Sequence, residues 1–279
     1  MSEKPVWFIT GAGRGMGASF ARAALAAGRA VVATGRQVAD VARAFGDQPD
    51  LLPVALDVTN TNDASSAVAA AVERFGRIDV LVNSAGASFK GYFEEMAPEQ
   101  VEQQLATNLL GPMNVTRAVL PVMRRQRSGH VVAISSGAGL VGFEYSSVYA
   151  ASKAGLENWI GALSAEIAPF GIHTTIVNPG FFRTGLASPA SLIWPAVTVR
   201  DYAERSAAQR EWWQAQDGQQ AGDPDKLARA LVALAELDPP PRRFIAGADV
   251  IALAERKIAD LRADIESHRD LSTALTFET

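Results

Sequence analysis

Short runs of β-branched residues alternate with helix-length, Ala-rich segments through the first two-thirds of this 279-residue chain. The predicted strands cover Val6–Thr10, Ala30–Gly35, Leu51–Leu56, Ile78–Asn83, His130–Ser135 and Ile172–Asn178. Helical patterns lie near Met16–Ala27, Asn62–Phe75, Glu99–Arg125 and Tyr149–Ala168. Strands joined by helix-length crossovers form βαβ units, whose parallel sheet is covered by helices on both faces. The pattern therefore predicts an α/β fold with a doubly wound parallel sheet.

The regular alternation stops after the sixth strand. Residues 181–222 form a long segment that contains three of the five tryptophans and several prolines. A helical pattern near Asp225–Glu236, a short strand Arg243–Ala246 and an amphipathic helix near Asp249–Arg269 follow. We interpret residues 1–279 as one domain, with a substrate lid at 181–222 and a C-terminal helical extension at 248–279.

Composition excludes several classes of function. The chain has no cysteine, which rules out disulfides, thiolate nucleophiles and iron–sulfur clusters, and its three scattered histidines do not suggest a metal site. A net charge of −4 argues against a nucleic-acid partner, since phosphate binding needs clustered positive charge. No charge-free stretch reaches about 18 residues, so we expect no membrane span. The first residues lack the pattern of a signal peptide, and we expect a cytoplasmic protein.

A glycine-rich turn, Thr10–Gly17, lies between the first predicted strand and the first predicted helix. Glycines at such a turn let the backbone approach a pyrophosphate, which rests on the amides of the helix N-terminus. A tight turn without a ligand is the alternative. Because the strand–turn–helix context is present, the turn predicts a dinucleotide site.

The end of the second strand carries Arg36 where an NAD site usually has an acidic residue for the ribose 2′-hydroxyl. Arginine suits a 2′-phosphate, and Arg14 of the glycine-rich turn is a second candidate for the same phosphate. We predict NADP(H) as the preferred cofactor, with NAD(H) as the second candidate. The alternative is that both guanidinium groups are simply solvated.

Tyr149 and Lys153 are four residues apart in a predicted helix and therefore share one of its faces. A phenol titrates near pH 10, and a cation beside it favours the phenolate, which would suit acid–base chemistry. Ser136 follows the fifth strand, at the carboxyl edge of the sheet where ligands bind. Ser135 is the competing candidate for the same role.

Together these features resemble the motif set of the short-chain dehydrogenase/reductase family. The motifs occur in family order over residues 6–184: Thr10–Gly17, Asn83–Gly86, Asn108, Ser136, Tyr149 with Lys153, and Asn178–Gly180. The resemblance implies a Rossmann fold of about seven strands in the order 3-2-1-4-5-6-7. It also implies hydride transfer between a nicotinamide and a carbonyl/alcohol pair.

The resemblance also assigns roles to the matching residues. Tyr149 would be the general acid, Lys153 would lower its pKa and bind the nicotinamide ribose, and Ser136 would bind the substrate oxygen. Asn108 would hold a water in a proton relay. The expected cofactor-binding set is Gly11, Arg14, Gly15, Met16, Gly17, Arg36, Asp57, Val58, Asn83, Ala85, Gly86, Tyr149, Lys153, Pro179, Gly180 and Thr184.

Two departures from the family pattern stand out. Ser84 replaces an asparagine that is common after Asn83. Many family members end in an Asp-Gly-Gly tail, whereas this chain ends in a long helix. This ending resembles that of a bacterial branch similar to 17β-hydroxysteroid and retinol dehydrogenases. The resemblance predicts a homodimer or homotetramer formed through the helices near 99–125 and 149–168.

The substrate prediction depends on apolar side chains near the expected crevice. The candidate lining residues are Ser136, Leu140, Phe143, Tyr149, Phe181 and Trp194. Such walls suit a bulky apolar or aromatic ketone, aldehyde or alcohol, and ordinary helix packing is the alternative. The rival function is a non-catalytic NADP(H)-binding sensor or scaffold. An epimerase or dehydratase is disfavoured, because such relatives generally carry a larger C-terminal substrate domain.

Overall fold

A computed structural model describes residues 4–188 and 191–277, and its central element is a seven-stranded parallel sheet. The strands are β1 Val6–Ile9, β2 Ala30–Gly35, β3 Leu51–Ala55, β4 Val80–Asn83, β5 Gly129–Ile134, β6 Ile172–Pro179 and β7 Arg243–Ala246. Their order across the sheet is β3-β2-β1-β4-β5-β6-β7. The predicted fold class and strand order are both confirmed.

Ten α-helices connect or follow these strands in the described residues. They are α1 Gly15–Ala26, α2 Val38–Phe45, α3 Thr61–Phe75, α4 Pro98–Leu105, α5 Gly111–Gln126, α6 Ser147–Ile167, α7 Ala203–Ala215, α8 Pro224–Ala235, α9 Ala248–Ser267 and α10 Arg269–Thr273. None of the described helices is long and apolar enough to cross a bilayer.

The sheet has an apolar core on each face, which explains why its strands read as continuous hydrophobic runs. On one face, α3, α5 and α6 bury side chains such as Phe75, Met123 and Leu156 against the sheet. On the other face, α1 and α8 bury Phe20 and Leu231. Burial on both faces is what a parallel sheet with crossover helices requires.

Two helical predictions were incomplete. The segment near Glu99–Arg125 is not one helix, because a π-helical turn, Ala106–Leu110, separates α4 from α5. Helix α2 was not predicted at all. It has only eight residues and buries only Val41, so it is shorter than the stretch of sequence over which helical periodicity can be recognised.

The predicted lid contains a short strand and a helix. Leu192–Ile193 pairs in parallel with Ser88–Phe89, and α7 follows. The proposed lid includes Pro189 and Ala190, which lie outside the described residues, as do the last two residues of the proposed C-terminal extension.

Candidate active site

The glycine-rich turn is bonded directly to the turn that follows β4. Gly11 has a φ of +68°, and a Cβ there would lie 2.8 Å from the Cα of Ala85. The Thr10 hydroxyl oxygen accepts hydrogen bonds from the backbone N–H groups of Ser84 and Ala85, both at 3.0 Å. A residue other than glycine at position 11 would push these two turns apart.

The start of α1 has the features of a dinucleotide site. Arg14 precedes α1 in an extended conformation, and no side chain caps the first amides of that helix. Free amides at a helix N-terminus that follows a glycine-rich turn are what a pyrophosphate needs. Gly86 lies beside two other predicted site residues, since a Cβ there would lie 3.5 Å from Asn108 Oδ1 and 4.0 Å from Lys153 Nζ.

The two candidate arginines are both exposed. Arg36 lies just after β2. The Nη1 of Arg14 donates to the hydroxyl of Ser191 in the lid at 3.1 Å. Met16 lies in the first turn of α1 and packs against the apolar core.

Three other cofactor candidates have structural partners of their own. The Asp57 carboxylate accepts the Thr59 N–H at 2.9 Å, so Asp57 begins a turn. Val58 is buried, and a Cβ on Gly111 would lie 2.6 Å from its Cγ2. Asn83 is buried and donates to Thr116 at 3.0 Å, while its Oδ1 has no hydrogen-bond partner in the described structure.

Tyr149 and Ser136 meet at the carboxyl edge of the sheet. Ser136 follows β5, and Tyr149 lies in the first turn of α6. Burial raises the pKa of Tyr149, and the hydrogen bond from Ser136 opposes that rise. Lys153 lies on the same side of α6, with its Nζ 5.8 Å from the Tyr149 ring centroid, and the expectation that it lowers this pKa stays a prediction.

Lys153 is held against the end of β5. Its side chain is 6% exposed, and its Nζ donates to the Ile134 carbonyl at 2.8 Å. Burial lowers the pKa of Lys153 to about 8, and the nearby charge of Glu157 acts in the opposite direction. The ammonium lies on the face of α6 that carries Tyr149, and a Cβ on Gly86 would lie 4.0 Å from it.

Asn108 lies in the π-helical turn between α4 and α5 and is fully buried. Its Oδ1 accepts the Ala87 N–H at 2.8 Å, and its Nδ2 donates to the Ala87 carbonyl at 3.0 Å and to the Ser152 hydroxyl at 3.3 Å. The side chain thus joins the helix bend, the segment after β4 and α6. This is the structural place at which a relay from α6 toward solvent would begin.

Ser135, the competing candidate, faces away from this group. Its hydroxyl donates to Glu157 Oε1 at 2.6 Å, and Asn178 donates to the same oxygen at 2.5 Å. Arg243 of β7 donates to Glu157 Oε2 at 2.6 Å. Sequence reasoning missed Glu157 and Arg243, although Glu157 is one helical turn beyond Lys153. This buried network joins α6 to β5, β6 and β7 directly behind the Ser136 turn.

The segment after β6 is tied to the C-terminal helix. Pro179 pairs with Ala246 across the sheet edge, and the Gly180 N–H donates to the Ala246 carbonyl at 2.9 Å. A Cβ on Gly180 would collide with the carboxylate of Asp249, which accepts the Phe181 N–H at 2.8 Å. The Thr184 hydroxyl accepts the Leu186 N–H at 3.4 Å.

Aromatic side chains of the lid segment contact one another. Phe181 stacks on Trp213 with ring centroids 5.6 Å apart, and Trp212 meets Trp213 edge-on at 5.1 Å. Trp194 is farther along the lid, where its carbonyl accepts from Gln100 at 2.9 Å. Leu140 lies in the turn after Ser136, partly buried.

Phe143 is 44% exposed, so the structure does not enclose every predicted lining residue. Lys90, which sequence reasoning did not single out, is buried close to Tyr149. Its Nζ lies 5.0 Å from the Tyr149 ring centroid. No motif marks Lys90 in the sequence.

Comparison with known proteins identifies the family. The family model described as short chain dehydrogenase matches residues 5–192, which hold the glycine-rich turn and the Ser136, Tyr149 and Lys153 group. The chain belongs to the short-chain dehydrogenases. It is therefore an oxidoreductase of that family.

Several relatives resemble the chain over nearly its whole length. A protein of Botryotinia fuckeliana called oxidoreductase BOA17 is 36% identical over 272 residues, covering 96% of this chain and 98% of that protein. A solved short-chain dehydrogenase from Streptomyces avermitilis is 35% identical, with a TM-score of 0.87 and coverage of 99% and 100%. A solved metagenomic short-chain oxidoreductase in complex with NADP is 26% identical, with a TM-score of 0.68 and coverage of 87% and 96%.

Proposed function

We propose that this short-chain dehydrogenase is an NADP(H)-dependent carbonyl reductase or alcohol dehydrogenase. Its substrate is a ketone/aldehyde–alcohol pair with a bulky apolar or aromatic body. The observation that carries the proposal is the grouping of Tyr149, Ser136 and Lys153, with Lys153 next to Gly86 of the turn that the glycine-rich turn contacts. A positioned proton donor, a second hydroxyl and an ammonium at the open end of a dinucleotide site are the groups that carbonyl reduction requires.

In the reductive direction, the Ser136 hydroxyl and the Tyr149 phenol both donate hydrogen bonds to the substrate oxygen. When bound, the reduced nicotinamide supplies the hydride for the carbonyl carbon. Tyr149 transfers its proton to the oxygen as negative charge develops there, and it accepts a proton in the reverse direction. The Lys153 ammonium stabilises the phenolate that remains, because opposite charges at short range in a poorly hydrated site attract strongly.

The cofactor preference is proposed from the chain's own charges. Arg36 and Arg14 are exposed cations at the adenine end, and the first carboxylate after β2 is Asp40, which is paired with Arg43 at 3.1 Å. A 2′-phosphate would gain two guanidinium partners there, whereas a 2′-hydroxyl would find no carboxylate at the strand end. The metagenomic relative in complex with NADP is consistent with this preference.

The cofactor-binding and substrate-binding residue sets, the lid at 181–222 and the C-terminal extension belong to this proposal. So do a cytoplasmic location and a homodimer or homotetramer.

The test follows the absorbance of reduced nicotinamide with carbonyl compounds from small keto acids to aryl ketones and steroids. We expect turnover with NADPH at least tenfold more efficient than with NADH, and higher rates for apolar substrates than for small polar keto sugars. Tight NADPH binding without turnover of any compound would favour the sensor or scaffold function instead. Equal efficiency with both cofactors would contradict the NADP(H) preference.

A further inference from the structure

Lys90 is a second buried lysine beside the catalytic tyrosine. It follows the two-residue strand Ser88–Phe89, and its N–H donates to the Ile193 carbonyl at 2.9 Å. Its side chain is 3% exposed. This backbone hydrogen bond joins Lys90 to the lid segment. Its ammonium lies between the lid and the tyrosine.

The ammonium of Lys90 has polar and aromatic partners but no anionic one. Its Nζ donates to the Ser146 hydroxyl at 2.9 Å. It lies over two rings, 3.8 Å from the Trp213 centroid and 5.0 Å from the Tyr149 centroid. Within the described part of the chain, no carboxylate lies within ion-pair distance of it.

This environment differs from that of Lys153. Lys153 has Glu157 one turn along its own helix, and the charge of that carboxylate supports its ammonium. Lys90 has no such support, and burial lowers its pKa to about 7. Burying an unpaired ammonium is costly, and cation–π contacts offset only part of that cost. An anion brought in by a ligand would supply the missing partner.

The side chain that covers Lys90 belongs to an exposed helix of the lid. Trp213 belongs to α7, and none of the thirteen residues of that helix is buried. Displacing Trp213 from Lys90 therefore breaks aromatic contacts on the lid without opening either core of the sheet. A ligand that replaces the ring over the ammonium would still contact Phe181 and Trp212.

We propose that Lys90 binds an anionic oxygen of the substrate, so that the preferred substrates are apolar or aromatic ketones, aldehydes or alcohols that also carry a carboxylate. The proposal rests on the proposed function for the reacting carbonyl, which Tyr149 and Ser136 hold. The carboxylate is recognised by Lys90 and Ser146, and the apolar body lies against the lid aromatics. The competing role is purely structural, with Lys90 acting as a support for Trp213.

The first arm of the test measures binding and does not depend on turnover. Benzoate and benzamide are titrated by calorimetry into the full-length protein, with and without saturating oxidised NADP. We expect benzoate to bind about tenfold or more tightly than benzamide, as a charge-assisted hydrogen bond would give. This advantage should disappear in Lys90→Met and return in part in Lys90→Arg. Lys226→Met, which removes an exposed lysine of α8, is the control.

The second arm measures specificity. The ratio of kcat/KM for 4-acetylbenzoate to that for its methyl ester is compared in the wild-type protein and Lys90→Met. We expect this ratio to fall at least tenfold in the variant. Any decrease in kcat/KM that is common to both substrates does not change the ratio. Trp213→Leu removes the ring and keeps the ammonium, so the ratio should survive in that variant.

The outcomes separate the two proposals. Equal binding of benzoate and benzamide to the wild-type protein, or a benzoate advantage that persists in Lys90→Met, would overturn the role of Lys90. If neutral ketones are turned over and a carboxylate on the substrate does not change kcat/KM, the proposed function stands and only this inference is overturned. Benzoate selectivity that depends on Lys90, without turnover of any carbonyl, would support the anion site and contradict the reductase function.

Discussion

At the residue scale, Ser135 and Ser136 are adjacent in the chain and serve opposite sides of the same turn. Ser135 donates to the buried Glu157, whereas Ser136 lies close enough to Tyr149 to lower the pKa of its phenol. Successive side chains of an extended backbone point to opposite sides, so two adjacent serines at the end of β5 contact different groups. The sequence left both serines as candidates, because an alternating pair does not show which member faces the ligand edge.

These two serines allow a matched test. We expect Ser136→Ala to lower kcat about 100-fold while leaving the fold stable, because it removes a donor to the developing oxyanion. Ser135→Ala should instead lower the free energy of unfolding by about 1.5–3 kcal/mol, because a buried carboxylate loses a hydrogen bond. Steady-state kinetics and urea denaturation of both variants check this. A loss of kcat in Ser135→Ala together with a loss of stability in Ser136→Ala would show that the two serines have the opposite roles.

Lys90 should make the stability of the protein depend on pH. Burial brings its pKa to about 7 in the folded protein, against 10.5 for an ordinary lysine, so the unfolded chain binds more protons between these values. The free energy of unfolding of the wild-type protein should therefore rise with pH from 7 to 10, relative to Lys90→Met, by about 3.5 kcal/mol. Urea denaturation at several pH values measures it. Identical pH dependence in both proteins would refute a titrating Lys90.

At the element scale, most strands and long helices were predictable, because short runs of β-branched residues alternate with Ala-rich segments of helix length. The sheet order followed from the family motifs, and the structure confirms it. The π-helical turn at Asn108 was not predictable, since one extra residue in a helix leaves no clear sequence pattern. Lys90 and Arg243 could not be found either. Both reach the site through contacts between segments more than fifty residues apart.

The end of β2 gives a prediction about the cofactor. Replacing Arg36 by aspartate should shift the ratio of kcat/KM for NADPH to that for NADH about 100-fold toward NADH, because a carboxylate repels a 2′-phosphate and accepts from a 2′-hydroxyl. Arg43→Asp, which changes a neighbouring exposed cation on α2, is the control and should not shift the ratio. An unchanged ratio in Arg36→Asp would place the phosphate contact elsewhere.

At the scale of the whole molecule, α6 has an outer face that no other described segment covers. Ala151, Asn158, Gly161 and Ala162 are exposed along one side of this helix, and a Cβ on Gly161 would meet no atom within 4 Å. This face is one of the two that we propose pair between subunits. A long side chain at position 161 fits the isolated subunit and would block such a contact.

Light scattering tests this proposal. The wild-type protein should have the mass of a dimer or tetramer, and Gly161→Arg should have a lower mass with an unchanged circular dichroism spectrum. Lys226 is exposed on α8, which packs on the opposite face of the sheet from α6, and Lys226→Ala provides a surface control. A wild-type protein that is monomeric at micromolar concentration would rule out the proposed assembly.

The most direct test of the central claim is single-turnover hydride transfer in Tyr149→Phe. The wild-type protein and the variant are each saturated with NADPH and mixed with a ketone that the wild-type protein reduces, and nicotinamide absorbance is followed. We predict a rate at least 1,000-fold lower in the variant with NADPH affinity unchanged, because the proton donor is lost and the cofactor contacts are not. Tyr202→Phe, which loses only a lid hydroxyl bonded to Glu94, should react at the wild-type rate. Reduction by Tyr149→Phe at the wild-type rate would contradict the account.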